Sequence, residues 1–327
     1  MRGSKTLHVS PWVWGVFGVL VLLALALDLG LLRRARDGEH ELGLRAASIR
    51  SAAWIGLALV FGLIVAVLYG PHAGVTYLTA YLLEKSLSVD NIFVFVLIFS
   101  ELRTPPAQQR RVLLWGVLGA LVMRALIIGA GLFVLNRFHW VVYVFAVLII
   151  VAAARLLWGG EKERAVVVAA CSVCSTWVAR IIPITPVYHG DAFWVRQGGR
   201  IFATPLLVAL IIIETTDVIF ALDSVPAVLA VTREPFLVYT SNIFAMLGLR
   251  SLYFVLAGVI DRFRYIRVGL AVILMFFGAR LLLGDVVEFP NWVSLLVIVV
   301  VLALTVVASL KWPGPVRKTA MQSRAES

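Results

Sequence analysis

Charged residues are scarce in this chain. Only 14% of its 327 residues are Asp, Glu, Lys or Arg, whereas a soluble domain of this size carries about a quarter. Hydrophobic residues make up 61% of the chain, and the mean hydropathy is +0.98. This composition excludes an ordinary soluble domain and predicts a polytopic membrane protein.

Cysteine is also nearly absent, with only Cys171 and Cys174 in the sequence CSVC. A zinc site needs four ligands, and His189 is the only histidine nearby in sequence, so we expect the pair to be structural. The first apolar run is longer than the core of a signal peptide and lacks a small-residue cleavage site. We therefore expect no cleavable signal.

Apolar runs long enough to cross a bilayer recur along the chain. They predict an all-α fold with about nine transmembrane helices. The longest gap between them, residues 160–200, is polar, and we expect a small hairpin there that turns at Gly198-Gly199. The approximate bounds of the runs are 11–32, 51–70, 75–100, 112–135, 139–159, 201–228, 237–260, 266–284 and 290–311.

Positive charge is distributed unevenly between the loops. Most of the 29 Lys and Arg residues fall in alternate loops and in the C-terminal tail. The positive-inside rule then places the N-terminus outside and the C-terminus in the cytoplasm. The same bias explains the net charge of +11 without a nucleic-acid partner, and it predicts contact with anionic lipid on the cytoplasmic side.

The chain contains an internal repeat. AVLIIVAAARLLWG (146–159) resembles AVILMFFGARLLLG (271–284), and EKSLSVDN (84–91) aligns with DVIFALDS (217–224). LVMRAL (121–126) aligns with LGLRSL (247–252), which pairs Arg124 with Arg250. Spans three to five therefore repeat as spans six to eight. Because each unit has three spans, the second enters the membrane from the other side, which predicts an inverted repeat of the kind common in secondary transporters.

The predicted organisation follows from the spans and the repeat. It consists of an N-terminal span with a basic loop (1–50), a first membrane half with repeat unit one (51–159), a cytoplasmic linker (160–200), repeat unit two (201–285), and a last span with a basic tail (286–327).

Oxygen-bearing side chains occur twice at matching depth inside the predicted spans, in EKSLSVDN and in ETTDVIFALDSVPA. These stretches contain no His or Cys, and hard oxygen ligands favour Mg²⁺, Ca²⁺ or Mn²⁺ over Zn²⁺ or Cu²⁺. The candidate metal ligands are Glu84, Asp90, Asn91, Glu214, Asp217, Asp223 and Ser224.

Charges at this depth need neutralisation, because each costs roughly 2.5–3.5 kcal/mol at the bilayer centre. A cation, protons, or the cationic residues Arg124, Arg250 and Lys85 can supply it. The competing interpretation is that these groups form ion pairs that only hold the bundle together.

The acids of each motif are six residues apart, so on an ideal helix their side chains point about 120° apart. Glu84 and Asp90 can then share one site only if the helix unwinds locally. We expect such unwinding at SLSVDN and at DSVP, where Pro226 removes a hydrogen-bond donor.

Four segments, EKSLSVDNIFVF, ATPLLVALIIIETTDVIFALDSVPA, SNIFAMLGLRSLYF and RFRYIRVGLAVIL, together resemble the TerC family of bacterial integral membrane proteins, including its Alx-type members. The resemblance runs from about residue 51 to 285. It implies a TerC-type fold within the LysE-like transporter superfamily and a location in the bacterial inner membrane. It also implies Mn²⁺ efflux, as in well-studied members, and a historical link to tellurium resistance. By resemblance, the expected metal-site residues are Glu84, Asp90, Asp217 and Asp223.

These observations lead to a functional hypothesis. We expect a membrane transporter that exports a divalent cation, most simply Mn²⁺, by proton exchange, with no prosthetic group and no enzymatic activity. The alternative is a non-transporting partner in membrane-protein insertion or in the response to metal or tellurite stress. An intramembrane aspartyl protease fits less well, because it needs an isolated pair of aspartates and no GxGD element precedes Asp223.

Overall fold

The protein is a bundle of α-helices with one small hairpin. The computed structural model describes residues 9–28, 44–158, 160–257, 265–284 and 289–312. The helices are α1 (Pro11–Asp28), α2 (Leu44–Tyr69), α3 (Pro71–Glu101), α4 (Pro106–Arg137), α5 (Val141–Trp158), α6 (Gly160–Ile181), α7 (Pro205–Val231), α8 (Pro235–Met246), α9 (Leu249–Ala257), α10 (Ile266–Leu283) and α11 (Asn291–Lys311), and the strands are β1 (Trp194–Gln197) and β2 (Arg200–Ala203).

Proline marks the start of several helices. α3, α4, α7 and α8 each have a proline in the first turn. There the missing N–H is not needed, and the fixed φ suits the helix. The same residue type that breaks helix interiors therefore sets helix boundaries here.

The predicted polytopic helical fold is confirmed. In the described part of the chain, five helices are long and apolar enough to cross a membrane, and the bent pair α8–α9 makes a sixth if it counts as one span. α1 and α5 are apolar but shorter, and α3 carries Glu84, Lys85 and Asp90 within its length. The total of nine spans and the inverted repeat therefore stay predictions.

The bundle is apolar outside and partly polar inside. Large aliphatic side chains such as Leu63, Leu126 and Leu304 are more than 60% exposed. Glu84, Arg124 and Asp217, in contrast, are almost completely buried. This is the distribution expected when lipid rather than water surrounds the protein, because the outer surface then carries no polar groups that need a partner.

α3 lies at the centre of the bundle. It packs against α2, α7, α8 and α11, and more than half of its residues are buried, including several polar ones. α7 packs against both α3 and α4. The two helices that carry the acidic motifs are therefore neighbours inside the bundle.

Small residues let neighbouring helices approach closely. Gly278 of α10 lies against Ile150 and Ala146 of α5, and Gly74 of α3 lies against Ala66 of α2. Lipid tails are as apolar as the helix surfaces, so the hydrophobic effect does not drive helix association in a membrane. Glycine and alanine at such crossings let the helices make close van der Waals contact instead, as is common between membrane helices.

The segment between α5 and α7 is structured. Its hairpin is confirmed: β1 and β2 pair antiparallel with Gln197 opposite Arg200, and the turn residues Gly198 and Gly199 have φ of 57° and 79°. Both values are costly for residues with a side chain, which explains the Gly-Gly turn. The helix α6 was not predicted, since its polar composition gave no strong apolar pattern.

The two ends of the bundle differ in charge. We call the end where α2, α4 and α7 begin the basic face; it carries Arg50, Arg110, Arg111 and the hairpin. The opposite face holds the ends of those helices and the starts of α3, α5 and α8. The basic tail after residue 312 and the loop at 29–43 lie outside the described residues.

The predicted span 237–260 is bent. α8 and α9 meet at an angle of 43°, and Gly248 between them has φ of 75°. Lys85 stabilises the break, because its Nζ donates to the carbonyls of Ala245 and Leu247 at 3.0 and 3.4 Å. A cation suits this position, since the last carbonyls of a helix lack intrahelical donors.

The bend predicts a sensitive position. Gly248→Ala places an alanine in the left-handed region of φ and ψ, which destabilises the fold by about 1–2 kcal/mol. The new methyl group would also overlap the side chain of Trp54. We expect a clearly lower midpoint of thermal unfolding in detergent. Gly15→Ala, in an open position of α1, should leave the midpoint unchanged or slightly raised. Equal midpoints for the two variants would contradict the strained turn.

Candidate functional site

A buried ion-pair network joins the two acidic motifs. Glu84 of α3 and Asp217 of α7 both contact the guanidinium of Arg124 from α4. The distance from Arg124 Nη2 to Asp217 Oδ1 is 3.5 Å. Arg124 Nη1 also donates to Asn242 Oδ1 of α8 at 3.3 Å. Four helices therefore meet at one cation, and each of the four residues is at most 2% exposed.

The network carries more negative than positive charge. Two carboxylates share one guanidinium, and Asp217 Oδ2 and Asn242 Nδ2 are buried without a hydrogen-bond partner among the described residues. A buried polar atom without a hydrogen-bond partner destabilises the folded state, and a charged group does so more strongly than a neutral one. The arrangement therefore has carboxylate oxygen to offer to a further cation or proton.

Glu214 lies next to this network. Its carboxylate packs directly on Gly119 of α4, where even a methyl group would overlap it. Gly119 precedes Arg124 by five residues on the same helix. The absence of a side chain at Gly119 is thus what allows a third acidic group to approach α4.

Asp90 has a different cationic partner. Its Oδ1 lies 3.6 Å from Arg267 Nε, at the start of α10, and Arg267 also stacks over the ring of Phe93 at 5.2 Å. The pair is largely buried. The positive charge that pairs with Asp90 therefore lies toward the basic face, away from Arg124.

The second motif places Asp223 beyond the network in the other direction. Asp223 is half-buried and Ser224 is buried on α7, and Ser224 Oγ makes no hydrogen bond to the described residues. Asn91, next to Asp90, is buried on α3. None of these three side chains joins the Arg124 network in the described contacts.

The expected local unwinding is wrong. α3 is helical from Pro71 to Glu101 and α7 from Pro205 to Val231, with Pro226 inside it. Six residues along a continuous helix advance about 9 Å. The two acids of one motif therefore lie at different depths along the bundle axis, which we call levels, and do not share one site.

The levels follow from the antiparallel directions of α3 and α7. Glu84 and Asp217 share the middle level through Arg124. Asp90 lies about 9 Å toward the basic face, and Asp223 lies about 9 Å toward the opposite face. Consistent with this spread, no three Asp, Glu, His or Cys side chains gather closely enough to hold a metal ion among the described residues.

The three cationic candidates have three different positions. Arg124 is in the middle of the network. Lys85 is at the break between α8 and α9. Arg250, which aligns with Arg124 in the repeat, lines a small cavity with Arg50 and Arg110 near the basic face. The partners that sequence reasoning missed, Asn242 and Arg267, lie inside the recognised segments SNIFAMLGLRSLYF and RFRYIRVGLAVIL, which were the available signal.

A cavity of about 650 Å³ opens at the opposite face. Arg280 at its wall is held by the side chains of Ser294 and Asn291, both at 2.6 Å. Asp285 and Glu288 of the neighbouring loop lie outside the described residues. The basic side chains that line the cavity are His72, His139, Arg233 and Arg280.

The two thiols lie on α6, outside the predicted spans. Both are free, and Cys171 is buried. Burial raises the pKa of Cys171 to about 11, with Glu101 and Cys174 acting in the same direction. A thiol with such a pKa is protonated at neutral pH and is a poor nucleophile or metal ligand. The structural role expected for the pair fits this environment.

The sequence profile of the integral membrane protein TerC family matches residues 69–314. The chain belongs to the TerC family. The match agrees with the resemblance of the acidic motifs and includes the whole Arg124 network.

Relatives of this TerC protein match over nearly their full length. An uncharacterized membrane protein of Myxococcus xanthus is 48% identical over 301 residues, 92% of each chain. Proteins named as candidate membrane-bound redox modulators, Alx, are 39% identical in Photorhabdus laumondii, over 96% of this chain and 98% of theirs, and 40% identical in Escherichia coli K12, over 90% and 93%. No solved structure matches the chain significantly.

The network predicts strong coupling between its members. Arg124→Gln leaves two buried carboxylates without their cation, and breaking a buried pair in this way costs about 3–5 kcal/mol. Glu84→Gln should cost less, because Arg124 keeps Asp217. We expect the double variant to be more stable than the sum of the two single effects predicts, measured by thermal unfolding in detergent.

Arg137→Gln is the control for loss of an arginine, since Arg137 is exposed at the end of α4, the helix that also carries Arg124. Strictly additive effects of Glu84→Gln and Arg124→Gln would show that the two side chains do not interact.

Proposed function

We propose that this TerC protein exports a divalent cation, most simply Mn²⁺, from the cytoplasm along the interface of α3 and α7. The observation that carries the proposal is the series of acidic side chains at three levels on two antiparallel helices inside a membrane bundle. Acidic residues are rare and costly at such depth, and they mark ion or proton pathways by default.

The ligand chemistry favours a hard cation. The buried donors around the path are carboxylate, amide and hydroxyl oxygens from residues such as Asp217, Asn242 and Ser224. Mn²⁺, Mg²⁺ and Ca²⁺ prefer such oxygens, whereas softer metals prefer sulfur or imidazole. The orphaned Oδ2 of Asp217 is an available ligand atom at the middle level.

Arg124 acts as a tethered counter-cation in the proposed cycle. In this structure it contacts Glu84 and Asp217 together and compensates one of their two charges. A divalent ion that binds between these carboxylates supplies the positive charge that they need, so it competes with the guanidinium. We propose that Arg124 moves toward one carboxylate as the ion enters and returns as it leaves.

Protons complete the charge balance. Arg124 compensates one of the two carboxylates, and Glu214 lies close by. One or more of these groups is expected to hold a proton when the ion is absent, because clustered carboxylates disfavour full ionisation. Metal binding then expels the proton, as carboxylate ligands bind in the deprotonated form. Exchange of metal for protons follows.

The cavity at the opposite face carries positive charge. Its lining includes Arg233 and Arg280, which lower the local concentration of free cations. In the predicted orientation this face is outside the cell. The rim opposes entry and exit of a cation alike, so the proposed export direction rests on the resemblance to Mn²⁺-exporting members of the family.

The names of the Alx relatives raise a redox role as the competing function. In this chain the only two cysteines are Cys171 and Cys174. Burial raises the pKa of both thiols, which makes dithiol chemistry slow at neutral pH. The acidic path therefore supports transport more strongly than the thiols support redox chemistry.

The first test concerns the outer acidic levels. Asp90→Asn and Asp223→Asn should each abolish the Mn²⁺ tolerance that the protein confers on a sensitive host, because each removes one charged step of the path. Growth at rising Mn²⁺ and total cell manganese are the measurements. Asp191→Asn is the matched control, since Asp191 is 61% exposed near the hairpin. Wild-type tolerance in both path variants would refute the assignment.

The second test separates transport from a partner role. Purified protein in liposomes, with a pH-sensitive dye inside and the membrane potential clamped, should move protons opposite to added Mn²⁺. Asp90→Asn should stop both fluxes. Mn²⁺ flux without protons would show that Arg124 alone balances the charge. Absence of Mn²⁺ flux in the wild type would favour a non-transporting partner in protein insertion or stress response.

A further inference from the structure

The amide side chain of Asn242 faces the buried ion-pair network from α8. Its Oδ1 accepts a hydrogen bond from Arg124 Nη1 at 3.3 Å. Its Nδ2 is buried and has no acceptor among the described residues. The opposite orientation of the amide would point a donor at a guanidinium that has only donors, so the oxygen is the atom that faces Arg124. Asn242 lies outside both acidic motifs.

Neighbouring polar side chains of α8 are satisfied differently. Thr240 and Ser241 are also buried, but their hydroxyls donate to carbonyls of the same helix. Such internal hydrogen bonds need no group from another helix. Asn242 instead contacts Arg124 and keeps one donor without an acceptor, which destabilises the folded state. Packing of α8 alone therefore does not account for an amide at this position.

Three oxygen atoms from three helices contact the guanidinium of Arg124. They are Glu84 Oε1 of α3, Asp217 Oδ1 of α7 and Asn242 Oδ1 of α8. Carboxylate and amide oxygens are also the ligands that Ca²⁺ takes in proteins, and Mg²⁺ and Mn²⁺ prefer oxygen as well. The oxygens that hold the cationic side chain in this structure are therefore chemically suited to a metal ion in its place.

The charges of these groups match a divalent ion. When the guanidinium has moved away, Glu84 and Asp217 in their ionised forms carry two negative charges, which balance an ion of charge +2. The amide of Asn242 adds a third ligand oxygen without adding charge. A carboxylate in its place would leave excess negative charge at a depth where uncompensated charge is costly.

We propose that Asn242 Oδ1 is a ligand of the transported cation and passes from Arg124 to the ion as the guanidinium withdraws. The inference rests on the proposed export function and adds a neutral ligand to it. With no ion bound, the oxygen holds the guanidinium; with an ion bound, it coordinates the ion. The exchange keeps α8 connected to α3 and α7 in both states, although the arginine that joins them has moved.

Substitutions at this position separate a ligand from a structural residue. Asn242→Leu has the same branched skeleton and removes both the oxygen and the unpaired donor, so the thermal midpoint without metal should change little. Asn242→Asp keeps an oxygen at the same place and should keep the ion bound. Ser241→Ala is the matched control, because Ser241 is the preceding residue and its buried hydroxyl donates to a carbonyl of α8.

The experiment measures Mn²⁺ binding to the full-length protein in a neutral detergent, after a chelator has removed bound metal. Free Mn²⁺ is followed by its electron paramagnetic resonance signal, and the thermal midpoint is recorded with and without Mn²⁺. We expect the wild type to bind Mn²⁺ and to gain thermal stability from it. Asn242→Leu should bind on the order of tenfold more weakly, since even groups behind the ligands change metal affinity by about 10–100-fold. Asn242→Asp should bind at least as tightly as the wild type, and Ser241→Ala equally tightly.

The outcomes separate this inference from the function on which it rests. Mn²⁺ binding by the wild type with unchanged affinity in Asn242→Leu would overturn the ligand assignment and leave the transport path in place. A lower midpoint without metal in that variant, together with unchanged affinity, would show that the amide is structural. Asn242→Ala, which also lacks the oxygen, takes its place if Asn242→Leu does not fold. Absence of Mn²⁺ binding in the wild type would contradict the proposed export function itself, and the ligand with it.

Discussion

The buried guanidinium of Arg124 holds together the part of the bundle that carries the acidic motifs. It contacts carboxylates on α3 and α7 and an amide on α8. In a low-dielectric interior these groups cannot be left unpaired, since removing one partner strands the others as buried charges. These contacts therefore fix the positions of α3, α4, α7 and α8 relative to one another along the bundle axis. Apolar side chains pack around the network.

The same interaction gives the proposed function its logic. Glu84 and Asp217 share a cation that belongs to the protein. In the proposed cycle, an ion from the cytoplasm would enter by competing with a side chain that cannot leave. Asp90, paired with Arg267, repeats this arrangement closer to the basic face. A nearby tethered cation favours the charged form of these carboxylates when no ion is bound and leaves their remaining oxygens available as ligands, as the proposed cycle needs.

The periphery is organised by charge in a different way. Arginines at the basic face lie between helices or beside the hairpin, and three of them line a small cavity between α2, α4 and α9. The bend at Gly248 lies between this cavity and Asn242. The cavity and the buried network thus share one structural element, the broken helix α8–α9, whose break is held by Lys85.

Composition alone determined that the chain is a helical membrane protein, because few charges and long apolar runs are compatible only with lipid as solvent. The residues also identified the acidic motifs, the hairpin turn and the family, since these signals are local in sequence. The tertiary structure decided which charged side chains contact one another. Arg124 and Arg250 align in the predicted repeat, yet one is buried among carboxylates and the other lines a cavity. Helix α4 is continuous, whereas the segment predicted to correspond to it breaks at Gly248. Side-chain partners depend on how whole helices pack and rotate, which no local sequence pattern specifies.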